Sequence, residues 1–201
     1  MLRIDKLGHI FNARIKRATS PHIERGPLLR VSGIIVHQTG GATLNSSLSS
    51  YVKPKANGAH FLIDRDGTIY QTASLFKQTW HVGSLRARCI VEYRCTKVEM
   101  KLFGSFNPKI EHRNEMAKSV PDRYPANEDS IGIEIVGAVV TPNGASPAEK
   151  GVYEAVNQRQ NASLKWLVHA LAITFSVPMT EIFRHPVVSR KNPTEAKSAV
   201  W

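Results

Sequence analysis

Apolar positions in this chain come in short dense runs separated by polar and glycine-rich stretches, which is the rhythm of alternating strands and helices. Val31 to His37 is a β-branched run ending in polar residues and predicts a buried strand. Ser46 to Val52 predicts a short helix. In Ala59 to Gln71 the pair Asp66-Gly67 sits between alternating apolar residues, a strong hairpin signal. Ile131 to Val136 predicts a second buried strand, with one charged residue inside it. Pro147 to Phe175 predicts the longest helix, with Pro147 near its start and Val152, Val156, Leu164, Leu167, Val168, Leu171 and Phe175 recurring at helical spacing. The element order predicts a mixed α/β domain. Residues 1–30, broken by Pro21, Gly26 and Pro27, read as an N-terminal extension, and residues 31–201 as the main domain. Between about 86 and 127 the periodicity is lost among charges and prolines, and this reads as a long insertion, functional or mobile. The tail Asn192 to Trp201 reads as one more short helix.

Composition narrows the class. With 201 residues, 42% hydrophobic and 21% charged, the chain can bury a real core. Its apolar runs are too short or too glycine-broken to span a bilayer. Met1 to Arg17 carries five basic residues and no unbroken apolar stretch, so no signal peptide is expected. A formal net charge of +11 points to a polyanionic partner or to a solvated basic surface. No nucleic-acid-binding module is recognisable, which leaves the bacterial wall as a partner. Cys89 and Cys95, six apart, suit a disulfide loop and an oxidising compartment, or two free thiols.

Chemistry is suggested where polar residues interrupt apolar strands. His37 ends one strand, and Glu134 stands between Ile133 and Ile135 on another. A glutamate buried there unpaired costs several kcal/mol, roughly, so it needs a cation, a metal or a proton, unless it faces solvent. A lone histidine at the end of such a strand is more often a hydrogen-bonded core residue than a ligand. His185, Lys191 and Glu195 cluster near the end of the chain. A catalytic zinc site needs about three ligands from His, Cys or carboxylate, with a base and an oxyanion donor beside it.

Five strings in order, IIVHQTGG from Ile34, AHFLIDRDGTIYQ from Ala59, TWHVG from Thr79, SIGIEIVG from Ser130 and RHPVVSRK from Arg184, resemble the type 2 N-acetylmuramoyl-L-alanine amidases, a family that includes the peptidoglycan recognition proteins. The resemblance covers roughly residues 31–197 and implies a mixed central sheet flanked by helices, with peptidoglycan as substrate. It implies one Zn2+ bound by His37 and His185, Glu134 as general base towards the attacking water, and Lys191 as the donor to the oxyanion. His60, Trp80 and His81 fall where the family lines its cleft and are expected to contact substrate. At the third ligand the chain departs from the family. Where many members carry aspartate or cysteine two residues after the lysine, this chain has Pro193, so Glu195, ten residues after His185, is the nominated ligand.

Two other readings stand beside this one. The first is a non-catalytic peptidoglycan-binding protein on the same fold. The second is a basic nucleic-acid-binding domain, which explains the charge but not Glu134 or the ordered histidines. The tail string and the long middle insertion resemble amidase effectors of type VI secretion systems. That resemblance implies synthesis in the cytoplasm, non-classical export, action in the periplasm or on the wall of a rival cell, and an immunity protein as a second partner.

Overall fold

A computed structural model describes residues 1–141 and 151–201. Its centre is a mixed sheet in the order β1 (Ile15–Arg17), β5 (Ile69–Gln71), β4 (Phe61–Ile63), β7 (Ser130–Val140), β3 (Gly33–Gly40), β9 (Ile182–Arg184), with β8 (Val152–Tyr153) paired to the far end of β7. The two longest strands are β3 (Gly33–Gly40) and β7 (Ser130–Val140), which run parallel in a register that sets His37 beside Glu134. β4 (Phe61–Ile63) lies parallel on the other side of β7, and β9 (Ile182–Arg184) parallel on the other side of β3. β4 and β5 (Ile69–Gln71) form the expected hairpin, and Gly67 takes φ +86° in its turn, a conformation that glycine adopts without a Cβ penalty.

Strand alternation sorts the two faces. Ile34 and Val36 of β3 and Ile131, Ile133 and Ile135 of β7 enter one core with Phe61 and Ile63. α5 (Gln158–Phe175) closes that core with Leu164, Leu167, Val168 and Leu171, all fully buried. Their spacing is the 3-4-7 stripe of a helix lying on a sheet. On the opposite face Ile35 and Leu62 each seed a smaller cluster, one with Val82, Leu85, Tyr124 and Val188, the other with Ile23, Tyr51 and Ala73. His37, Gly132 and Glu134 alternate to that second face.

Several expectations change. The first thirty residues are not a detached lead-in: β1 (Ile15–Arg17) extends the main sheet beside β5, and β2 (Glu24–Pro27) pairs with β6 (Lys77–Thr79). α5 starts at Gln158, because Asn157 and Gln160 form a reciprocal capping box there. Val152 belongs instead to β8 (Val152–Tyr153), and Pro147 lies outside the described residues. The short helix predicted at Ser46 spans Leu44–Tyr51 as α1, capped by Thr43.

The middle segment holds three short helices, α2 (Arg88–Val91), α3 (Lys97–Leu102) and α4 (Pro108–Met116). Cys89 and Cys95 are disulfide-bonded within it. Charge rather than apolar periodicity organises the segment, as in the buried pair of Arg88 with Glu181 (2.7 Å) and the pair of Arg123 with Asp129 (2.9 Å). The tail after Asn192 forms turns, not the predicted helix; the short helix here is α6 (His185–Val188). Among the described residues no helix is long and apolar enough to cross a membrane.

Candidate metal centre and active site

His37 reaches the site from β3 and Glu134 from the paired position on β7. His185 stands where β9 turns into α6, directly after Arg184, which pairs with Val36. Glu195 comes from the terminal turns. Backbone hydrogen bonds hold it there, including Ala196 N–H donating to Gln38 Oε1 at 3.2 Å and Arg184 Nε donating to the Ala196 carbonyl at 3.0 Å. The fold thus brings His37 to His185 and Glu195, which lie about 150 residues further along the chain.

Their ligand atoms lie within 4.8 Å of one another. Glu195 Oε1 is 2.9 Å from His185 Nδ1 and 3.5 Å from His37 Nδ1. The rings of His37 and His185 have centroids 4.2 Å apart. At its other nitrogen, His185 Nε2 lies 2.8 Å from the Val82 carbonyl, which can only accept. Nε2 must therefore carry a proton, which leaves Nδ1 as the nitrogen turned to the Glu195 carboxylate, where it either carries a second proton or offers a lone pair to a bound cation.

Burial pushes His37 down to about 4, aided by the charge of His185. Burial pushes Glu195 up, but hydrogen bonds and charge from His185 and His37 outweigh it and hold the carboxyl at about 2. A neutral imidazole and an ionised carboxylate are the forms that metal ligation requires.

A cavity of about 420 Å3 opens over this cluster, lined by His37, Glu134, His185, Lys191 and Glu195, with Trp80 and Tyr153 at its sides. Burial raises the Glu134 pKa, and the Tyr51 hydroxyl, donating to Oε2 at 2.9 Å, opposes that shift. Tyr51 in turn accepts from the Ala59 N–H at 3.2 Å. Lys191 is exposed at the cavity wall. Trp80 is 51% exposed, with its ring covered on one side by the Arg25 guanidinium at 4.9 Å, so it offers an aromatic surface to a ligand.

Two expected cleft residues lie elsewhere in role. His60 is fully enclosed and does not line the cavity. Its Nδ1 accepts from Gly132 N–H (3.1 Å) and its Nε2 meets the Lys77 carbonyl (2.9 Å), so the ring ties β4 to its neighbours. His81 touches the cavity, yet both its nitrogens are engaged by protein, Nδ1 with His37 and Nε2 with Ser130. Tyr51, Asn127 and Tyr153 were not anticipated. Asn127 Oδ1 accepts from the N–H groups of both His81 and Val82 at 2.9 Å, fixing the loop over the site. An asparagine just before a strand gave no distinctive signal, and neither did a tyrosine at a helix end.

Residues 27–196 match the family described as N-acetylmuramoyl-L-alanine amidase. The chain belongs to that family. It is a peptidoglycan amidase by class, with the α/β architecture expected of it. Comparison with curated proteins finds no match. Among solved structures, the chain is similar to a selenomethionine derivative of AmpD at 21% identity, with a TM-score of 0.60 over 100% of this chain and 96% of that one. It is also similar to the catalytic domain of XlyA (19% identity, 88% and 87% covered, TM-score 0.52). A third is the N-acetylmuramoyl-L-alanine amidase LysC from Clostridium intestinale URNW (17% identity, 88% and 86% covered, TM-score 0.50). At these identities the likenesses show the shared fold.

Proposed function

We propose that this amidase is zinc-dependent and hydrolyses the amide between the lactyl group of N-acetylmuramic acid and the L-alanine that begins the stem peptide. One observation carries the reading: a buried carboxylate and two buried imidazoles bring their ligand atoms within 4.8 Å of one another beneath the cavity, a donor set that can hold a cation. Three nitrogen and oxygen donors suit zinc, and His37, His185 and Glu195 would hold it. An ion bound there supplies Lewis acidity, making water nucleophilic near neutral pH and polarising the carbonyl under attack.

The remaining work falls to the chain. Glu134, with Oε2 held by Tyr51, takes the proton of the attacking water on its other oxygen and returns it to the departing alanine amine. Burial raises its pKa, which favours holding the proton between the two transfers. Lys191 donates to the oxyanion that forms on the lactyl carbonyl. Trp80 offers its exposed ring face to the sugar or peptide. Glu195 supplies the donor whose lack would have favoured a binding protein without catalysis. Sacculi treated with the zinc-loaded protein should gain free alanine amines, read by amine labelling and mass spectrometry. Binding without new amines would return the protein to the non-catalytic reading.

The Cys89–Cys95 bond supports work in an oxidising compartment. We therefore infer delivery to a rival's periplasm as a type VI secretion effector, with an immunity protein covering the cleft in the producer. Expression directed to the periplasm of a bacterial host should lyse it, while cytoplasmic expression is harmless. Harmlessness in both compartments would reject the toxin assignment.

A further inference from the structure

His81 makes a hydrogen-bonded chain that begins at the backbone and ends at a nominated ligand. Ser130 Oγ lies 2.5 Å from the Ala126 carbonyl, which can only accept, so the serine proton points there. Ser130 Oγ is left as an acceptor for His81 Nε2 at 3.2 Å, and that nitrogen must carry a proton. In a neutral ring, His81 Nδ1 is then an acceptor, and it lies 2.9 Å from His37 Nε2. The two nitrogens of His81 meet Ser130 and His37 and no carboxylate, so no counter-charge is at hand to hold a second proton on the ring. His37 must therefore carry its proton on Nε2 and its lone pair on Nδ1, the nitrogen that faces Glu195 at 3.5 Å.

The same loop governs the other imidazole. Val82, next in sequence, presents the carbonyl that fixes His185 in the matching tautomer. Asn127 clamps both residues through their N–H groups. Gly132 makes room for the arrangement: a Cβ at that position would come within 2.8 Å of the His81 ring. This gives the glycine of the Ile-Gly-Ile-Glu strand a physical task, since any side chain there displaces His81.

We infer that His81 and the Val82 carbonyl form a two-point tautomer clamp, turning both imidazoles so that their Nδ1 lone pairs converge with Glu195 on the metal. His81 is thus a positioning residue rather than a substrate contact. The inference rests on the zinc reading given above for its purpose, but not for its geometry. Removing outer partners of metal-ligating histidines typically costs about 10–100-fold in metal affinity.

The test has two arms. In the metal-free parent, nitrogen-15 NMR of labelled histidines should find His37 and His185 both protonated at Nε2. The opposite tautomer at His37 would overturn the clamp, whatever the zinc result. In the second arm, zinc affinity is measured by chelator competition. His81→Phe should weaken it about 10- to 100-fold, and His81→Asn, whose side-chain oxygen can replace the Nδ1 acceptor, should recover most of the loss. Gly132→Ala should weaken zinc in the same direction by pushing the ring aside. Parent-like affinity in His81→Phe, or equal losses in the Phe and Asn variants, would reduce His81 to packing. If the parent itself binds no zinc, the functional reading fails, and the NMR arm still decides the clamp.

Discussion

Glu134 separates catalysis from metal binding, because it faces the cavity without belonging to the His37–His185–Glu195 triad. Glu134→Gln should keep stoichiometric zinc and lose on the order of 100-fold or more in turnover on sacculi, the usual contribution of a positioned acid–base group. Unchanged turnover would remove the base assignment. Tyr51 gives a subtler handle. Its hydroxyl favours the ionised carboxylate, against the burial that raises the Glu134 pKa. Removing the hydroxyl in Tyr51→Phe raises that pKa further, and a base works only above its pKa. The acidic limb of kcat/KM should therefore move to higher pH in the variant. This sign is a difference between two proteins and survives any common effect of the metal's charge. A limb that moves down or stays fixed would exclude Tyr51 as the partner of the base.

At the scale of elements, what could be read in advance follows from how each element is held. β3, β7 and the β4–β5 hairpin announce themselves because apolar side chains drive them, and their alternation places His37 and Glu134 side by side on one face. The three helices between Arg88 and Met116 were illegible for the opposite reason: salt bridges and caps hold them, and these leave no periodic trace. Thr96 and Glu99 form a capping box on α3, and Lys118 reaches Glu99 at 2.8 Å. The start of α5 is not legible in the pattern because Val156 is buried from a loop, where its apolar character mimics helical spacing. A sequence cannot show that both ring nitrogens of His81 have protein partners, although the residue does line the cavity. Glu195 was found by its distance from His185, although Lys191 offered no such guide to its own exposure.

Arg88 tests the charge-held insertion. It pairs with Glu181 at 2.7 Å where both side chains are almost wholly buried, and Glu181 leads directly into β9 and His185. Arg88→Ala leaves that carboxylate without its partner and should lower unfolding free energy by roughly 3 kcal/mol. Chemical denaturation would measure it. A loss within error of zero would mean that the pair is replaced by solvent and that the insertion does not brace the β9 end of the site.

The molecule as a whole carries a formal charge of +11, which attracts an anionic partner. Long-range attraction should speed encounter with the wall and be screened within about 8 Å at physiological salt. KM on intact sacculi should rise with ionic strength, while KM on a small neutral muramyl-peptide fragment should change little. Equal salt dependence for both would place the effect at the cavity rather than on the surface.

These scales meet at the proposed metal site. Zinc K-edge absorption spectroscopy on the reconstituted protein tests that point most directly. The account predicts one zinc per chain with two imidazoles and a carboxylate among its ligands and no sulfur. A protein that takes up no zinc, or a first shell containing sulfur from Cys89 or Cys95, would contradict it.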